Sequence, residues 1–169
     1  MKFHLKAIVL GMIAVFLLSA AFLSWYQNQY AMEVIEDRYI NDTQLPTRIL
    51  ITTQGSEFKN ELSDQLVNEL SHMAVHVKVT DVTRLPEIDY DDWNIIVIIH
   101  TWEYLLPEKN VQDFVSRLAT TDKLVIVTTS GLGKEGLEGV DGISSASILT
   151  ETESVRKTIM NRINNRLKP

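Results

Sequence analysis

Three short runs of apolar, largely β-branched residues constrain the fold of this chain more than any other feature of its sequence. The runs read RILITT at residues 48–53, NIIVII at residues 94–99 and KLVIVT at residues 123–128. Apolar runs of this length are typical of central strands in parallel sheets, which helices cover on both faces. The sequence therefore predicts three buried, parallel strands.

Apolar side chains at helical spacing separate these predicted strands. Residues 58–73, 111–118 and 155–167 each show this spacing, residues 75–79 alternate as in an edge strand, and residues 140–149 are expected to hold a fifth strand. Strands that alternate with helices pair in parallel through right-handed crossovers. We therefore predict an α/β fold, a doubly wound three-layer sandwich with a five-stranded parallel sheet.

A longer apolar segment precedes this predicted domain. Residues 7–23 carry only apolar or small side chains, and as a helix they cover roughly 25 Å, close to the hydrocarbon thickness of a bilayer. Lys2 and Lys6 flank the start of the segment, and Trp25 follows its end. Positive charge marks the cytoplasmic side, and aromatic rings lie at the headgroup level. Residues 7–26 are therefore predicted to be a transmembrane signal-anchor helix in a lipid bilayer.

The anchor determines where the rest of the chain is expected to lie. Residues 1–6 are predicted to be cytoplasmic, residues 27–47 to form a polar stalk, and residues 48–169 to form the extracytoplasmic domain of a single-pass protein in a bacterial inner membrane. A cleaved signal peptide is the alternative, because Ser19 and Ala21 are small residues of the kind found at cleavage sites. In both cases the domain is exported.

Composition and spacing argue against several kinds of function. The chain has a formal net charge of −6 and no cysteine. The negative charge argues against nucleic acid as a partner, and the lack of thiols excludes disulfides, thiolate metal sites and cysteine nucleophiles. His72 and His76 span a helix end and a strand, so no metal site is predicted. His100 is expected in a polar loop near Ser130, but no nucleophile elbow surrounds that serine, and no catalytic residue is predicted.

The loops after the predicted strands are the expected place for a ligand. In open parallel sheets, ligands bind beyond the C-terminal strand ends, where the strand order reverses. This rule selects Thr52, Thr53, Gln54, Gly55 and Ser56 in a first loop, Thr101, Trp102 and Tyr104 in a second loop, and Thr129, Ser130 and Gly131 in a third loop. The first loop lies between a strand and a helix, where backbone N–H groups and hydroxyls hold phosphate.

The first two loops resemble those of flavodoxins. The first is similar to the phosphate loop of that family, hydroxyl-x-Thr-Gly-x-Thr, and in the second a Leu-Pro pair follows Thr101-Trp102, as in the flavodoxin loop whose aromatic side chain stacks on the isoalloxazine. The resemblance covers about residues 48–168 and implies a flavodoxin-like fold with FMN as cofactor, stacked on Trp102 or Tyr104. It also implies an electron carrier rather than a turnover enzyme, with a membrane redox protein as partner.

Two departures in the first loop favour a second interpretation. Gln54 replaces a threonine hydroxyl, and Glu57 places a carboxylate at the helix start, where it complements the helix dipole and repels a phosphate. The connection between the fourth and fifth predicted strands is short for a flavodoxin, and its glycines oppose a helix. The alternative is therefore a flavodoxin-like domain without a cofactor that serves as an interaction or assembly module.

A third interpretation comes from residues 141–147, which read DGISSAS. This segment resembles the flavinylation motif Asp-Gly/Ala-x-Ser-Gly-Ala-Thr of exported FMN-carrying domains, with Ser145 and Ser147 as departures. The resemblance implies an FMN ester on Ser147, while the simpler prediction is a fifth strand and its turn. Residues 131–136, GLGKEG, match the dinucleotide fingerprint as a string, but no apolar helix follows them.

Overall fold

A computed structural model of the chain describes residues 2–30, 32–103, 106–137, 139–140 and 142–168. The chain divides into two compact units, one ending at Met32 and the other beginning at Glu33. The first unit is a single helix, α1 (Lys2–Tyr30), as the apolar sequence predicts.

Helix α1 has the composition of a membrane span. Its segment Ile8–Trp25 has a mean hydropathy of 2.4 and is long and apolar enough to cross a membrane. A signal sequence near the N-terminus meets the same two criteria. The apolar helix is therefore confirmed, whereas its orientation and the identity of the membrane stay predictions.

The second unit contains one mixed β-sheet. Within the described residues its strands are β1 (Arg38–Ile40), β2 (Arg48–Thr53), β3 (His76–Asp81), β4 (Ile95–Glu103), β5 (Leu106–Pro107), β6 (Leu124–Thr129) and β7 (Gly142–Ser145). Their order is β1-β3-β2-β4-β6-β7, and β5 pairs with β4 outside this path. Strands β3, β2, β4, β6 and β7 are parallel, whereas β1 is antiparallel to β3 and β5 to β4.

The α/β fold with a mostly parallel sheet is thus as predicted, but the sheet has seven strands and is mixed, where five parallel strands are predicted. β1 has three residues and β5 has two, whereas strand patterns are recognisable over about four to eight residues. β1 lies in the polar segment predicted to be a stalk and pairs with the outer side of β3. β5 is the second arm of a hairpin that extends β4.

Helices cover both faces of this sheet. α2 (Glu57–Leu70) and α4 (Thr152–Leu167) pack against one face, and a 3₁₀ helix (Val82–Glu87) with α3 (Lys109–Ser116) packs against the other. Successive apolar residues of β2, β4 and β6 belong to the two opposite cores, as the two-residue repeat of a strand requires. The ends of these strands therefore also present consecutive side chains to opposite faces.

The connection from β6 to β7 contains no helix within its described residues, which are 130–137, 139 and 140. Gly133 has a φ of 62°, and a Cβ there would lie 2.8 Å from the backbone N of Ala146. Glycine is therefore required at this turn. Leu137 and Val140 pack against the α3-side core, so the connection itself covers part of this face.

Candidate functional site

The strand-end residues predicted to bind flavin fall into two groups on opposite faces of the sheet. Thr53, Thr101 and Thr129 continue the alternation of the core that contacts α2 and α4. Thr52 and Trp102 continue the alternation of the core that contacts α3. Because side chains alternate along a strand, adjacent residues such as Thr52 and Thr53 face different layers.

The first loop is covered by the segment that leads into β1. The Gly55 N–H donates to the carbonyl of Glu33 at 2.6 Å, and the Glu33 N–H donates to the carbonyl of Gly55 at 3.2 Å. A Cβ at Gly55 would lie 2.7 Å from both the Cβ and the carbonyl oxygen of Glu33. The space next to Gly55 is thus filled by backbone, and its N–H already has an acceptor.

Replacing Gly55 with alanine is therefore expected to lower the free energy of unfolding by about 2 kcal/mol, because the new methyl group displaces Glu33. Urea denaturation of the full-length protein in detergent measures this change. Gly131→Ala is the matched control, since a Cβ at Gly131 meets nothing within 4 Å. Equal stability of the two variants would show that Glu33 is not packed against Gly55.

The other polar groups of the first loop also bond within the protein. The side-chain Oε1 of Gln54 accepts the backbone N–H of Thr101 at 2.9 Å, which joins the first loop to β4. Ser56 is the N-cap of α2, and its Oγ accepts the backbone N–H of Lys59 at 3.4 Å. The Thr53 hydroxyl donates to the carbonyl of Gln54 at 3.2 Å. The groups expected to hold a phosphate thus connect the loop to its neighbours.

Lys59 lies at the centre of these contacts and was missed by the sequence analysis. Its side chain is only 1% exposed, and its Nζ donates to the hydroxyls of Thr101 at 2.6 Å and Ser56 at 3.5 Å. Burial lowers the pKa of Lys59 from 10.5 to about 8, although the nearby charge of Glu103 opposes this fall. A lysine in the first turn of a helix opposes the helix dipole, and this was the available sequence signal.

The second loop is a hairpin extension of β4. Thr101 and Trp102 lie within the strand, which continues to Glu103, and Trp102 pairs with Pro107 across the hairpin. The side chain of Trp102 is half-buried. Tyr104, the other predicted stacking residue, lies outside the described residues.

His100 is a buried strand residue, and its prediction as a polar loop histidine is wrong. It lies inside β4 and is fully buried. Its Nδ1 lies 3.2 Å from the carbonyl oxygen of Thr101 and its Nε2 lies 3.0 Å from the Thr128 hydroxyl, so Nδ1–H donates and Nε2 accepts. Burial is the main cause that lowers the pKa of His100 from 6.5 to about 4. The imidazole is therefore neutral near pH 7.

Thr52, on the same face as His100, has a fully buried hydroxyl with no hydrogen-bond partner among the described residues. Buried polar groups in folded proteins nearly always have hydrogen-bond partners. A buried hydroxyl without one therefore marks either local strain or a site where a ligand or a water molecule supplies the missing hydrogen bond. It is one of the predicted ligand-binding residues, at the end of β2.

The third loop folds back on itself. The Thr129 hydroxyl donates to the carbonyl of His100 at 3.1 Å. Ser130 donates its hydroxyl hydrogen to the carboxylate of Glu135 and accepts the backbone N–H of Gly133 at 2.9 Å. Gly131 is exposed, with open space around its Cα. Of the three predicted residues in this loop, Gly131 alone is open to solvent.

Ser147, the predicted site of covalent flavin attachment, is exposed and follows β7. Its backbone has a φ of 59°, and its N–H donates to the Oγ of Ser145 at 3.2 Å. Ser145 in turn donates its hydroxyl hydrogen to the Glu151 carboxylate at 2.8 Å. Asp141, the first residue of the motif, lies outside the described residues.

Exposed apolar side chains lie along the edge of the sheet at which the parallel strands end. Apart from Tyr39, the large apolar side chains described as exposed in the second unit are Val34, Leu106, Leu132, Ile148 and Leu149. The last four follow the C-terminal ends of β4, β6 and β7, and Val34 is next to Glu33, which pairs with Gly55 after β2. Adjacent strands are about 4.8 Å apart, so these four strand ends span about 14 Å.

We name these five residues the apolar rim. Local patterns of strands and helices do not reveal it, because its residues lie in loops or in very short elements that follow different strands, and only the strand order brings these strand ends to one edge of the sheet. No protein-family model and no curated protein matches this chain.

Proposed function

We propose that this chain is a membrane-tethered, extracytoplasmic flavodoxin-like domain that serves as an interaction or assembly module without a flavin. The parallel order β3-β2-β4-β6-β7 supports a flavodoxin-like assignment, because it corresponds to the 2-1-3-4-5 order of that fold. The length and apolar composition of α1 support the tether. The positive charges of Lys2 and Lys6, which precede the apolar segment of α1, support an extracytoplasmic domain.

The observation that carries this proposal is the pairing of Glu33 with Gly55. A phosphate loop holds its ligand through free backbone N–H groups and a close approach to glycine. Here the Gly55 N–H is bonded to Glu33, and the backbone of Glu33 fills the space that a phosphate needs. Glu57 adds a carboxylate to the first turn of α2, which repels an anion at the same helix start.

The apolar rim is the surface that we assign to the partner. Single exposed apolar residues are ordinary, but apolar side chains concentrated on one edge mark interaction sites. Leu132 is 75% exposed and Val34 is 72% exposed, so these side chains lack an intramolecular contact that would shield them from water. A protein surface with an apolar centre fits this edge.

A second candidate function is FMN binding for electron transfer with a membrane redox protein. One observation favours it: in the sheet, β2 is followed along the chain by β3 on one side, and β4 is followed by β6 on the other side. The first and second loops therefore lie at the switch point where ligands of such sheets bind. The unpartnered hydroxyl of Thr52 lies at that point. This function requires Glu33 to leave Gly55, so that Thr52, Thr53, Gln54, Gly55 and Ser56 receive the phosphate.

Purification of the full-length protein from its native membranes separates these candidates. We expect a colourless protein that does not quench the fluorescence of added FMN, because the first loop is closed by Glu33. Flavin absorbance that acid precipitation releases would overturn the proposal in favour of bound FMN. Colour that survives precipitation and is lost in Ser147→Ala would instead establish the covalent carrier.

The apolar rim makes a separate prediction about contact with a partner. A photo-crosslinking amino acid at position 132 is expected to give a discrete protein adduct in the native membrane, because Leu132 projects from the rim. The matched control is position 39, since Tyr39 is exposed and apolar but lies on β1, outside the rim. Equal adducts from both positions, or adducts to lipid alone at position 132, would contradict the assignment of this edge.

A further inference from the structure

A groove of about 700 Å³ separates the outer side of α2 from the start of α4. Glu57, Glu61 and Asp64 of α2 and Glu153 of α4 line it, Thr152 lies at its floor, and Leu149 forms part of its wall. Its volume is within the range of about 300–1,000 Å³ that is usual for ligand sites. We name it the acidic groove.

The carboxylates of the acidic groove are only partly neutralised. Asp64 pairs with Arg38 at 2.7 Å and Glu153 pairs with Lys157 at 2.6 Å, but among the described residues no ion pair includes Glu57 or Glu61. Interaction with helix dipoles explains acidic residues in the first turns of α2 and α4, which are Glu57 and Glu153. It does not explain Glu61 or Asp64, which lie beyond the first turn.

The floor of the groove provides an independent observation. Thr152 is only 2% exposed, and its hydroxyl has no hydrogen-bond partner among the described residues. An unpartnered buried hydroxyl costs about 1–3 kcal/mol, and threonine has valine as an apolar isostere that avoids this cost. A ligand donor that enters the groove gives this oxygen a partner.

We propose that the acidic groove binds an arginine-bearing segment of a partner protein. The guanidinium carries five N–H donors and no acceptor, which suits a groove lined by carboxylates and by a threonine whose hydroxyl has no partner among the described residues. Its aliphatic stem packs against an apolar wall such as that of Leu149. A single metal ion fits less well, because no cluster of three acidic or histidine ligands close enough for a metal exists among the described residues.

Titration of the full-length protein in detergent with a fluorescent tetra-arginine peptide tests this proposal by anisotropy. The double variant Glu57→Gln/Glu61→Gln is expected to bind the peptide about five-fold more weakly, and Thr152→Val about three-fold more weakly without loss of stability. Asp92→Asn is the matched control, because Asp92 is exposed and lies outside the groove. It is expected to bind the peptide as the wild type does.

Three outcomes overturn the proposal: unchanged affinity in the double variant, an equal loss in Asp92→Asn, or unchanged affinity in Thr152→Val. The second outcome would mean that the peptide responds only to net charge. The assay uses no FMN, and although Leu149 belongs to both surfaces, the variants change only Glu57, Glu61 and Thr152, which lie outside the apolar rim. The assay can therefore fail while the proposed function stands. The proposed function can likewise fail while the groove binds its peptide.

Discussion

Replacing Lys59 with methionine is expected to raise the free energy of unfolding at pH 7 by up to about 3 kcal/mol, less the contribution of the hydrogen bonds that its ammonium group makes. The pKa of Lys59 is lowered from 10.5 to about 8 because its ammonium group is buried, so the folded state holds this charge at a cost. At about 1.4 kcal/mol for each pKa unit, that difference corresponds to about 3 kcal/mol. Methionine keeps the unbranched shape of the side chain and removes the charge. Urea denaturation of the full-length protein in detergent measures the change.

The pH dependence of stability gives the same prediction a second test. Between pH 8 and 10.5 the folded protein has released the Lys59 proton while the unfolded chain still binds it, so the free energy of unfolding rises with pH. The methionine variant lacks this rise. Burial raises the pKa of Tyr90, so this residue also makes stability depend on pH in the alkaline range. Its contribution is the same in the wild type and in the methionine variant, and it cancels when one stability curve is subtracted from the other.

Lys168→Met is the control for Lys59→Met, because Lys168 is exposed and its removal leaves stability nearly unchanged. A destabilised Lys59→Met variant would mean that the contacts with Ser56 and Thr101 outweigh the desolvation of the ammonium group.

The expected gain in the free energy of unfolding also bears on the function of Lys59. Ionisable groups with strongly shifted pKa values cluster at functional sites, and Lys59 joins the first loop to β4 near the edge at which ligands of such sheets bind.

The regular part of this fold was predictable because it rests on local patterns. The apolar runs at β2, β4 and β6 and the stripe of α2 are recognisable without knowledge of any distant residue. The end of β4 was not, because the apolar run stops at Ile99 while the strand continues to Glu103 through pairing with β6 and β5. The local pattern therefore places His100 in a loop.

The candidate site was predictable in its location but not in its contacts. Strand order and the rule for open sheets select the three loops, whereas no local signal shows that Glu33 pairs with Gly55, which is 22 positions away in the sequence. The orientation of side chains at the strand ends also requires the true strand register. A shift of one residue moves each hydroxyl to the opposite face of the sheet.

Lowering the pH from 6.5 to 4 is expected to cost the wild-type domain about 3 kcal/mol through His100 alone. Burial lowers the pKa of this imidazole to about 4, so in this range the unfolded chain takes up a proton that the folded state excludes. The free energy of unfolding therefore falls as the pH falls. His100→Gln removes the titration and keeps both an amide donor for the Thr101 carbonyl and an amide oxygen for the Thr128 hydroxyl.

The difference between the wild-type and His100→Gln stability curves isolates this effect. Hydrogen bonds lower the pKa of carboxyls such as Asp37 and Glu135, and both proteins share the acid sensitivity that these groups confer. Because His100→Gln keeps both hydrogen bonds, the two curves are expected to lie close together near pH 7 and to separate toward pH 4, where the wild type loses about 3 kcal/mol. Parallel curves would mean that His100 takes up its proton as readily in the folded state as in the unfolded chain. The charge of Lys59 also lowers the His100 pKa, so this acid effect is expected to be smaller in the Lys59→Met background. An undiminished effect there would show that the two buried groups titrate independently and that the charge of Lys59 does not lower the His100 pKa.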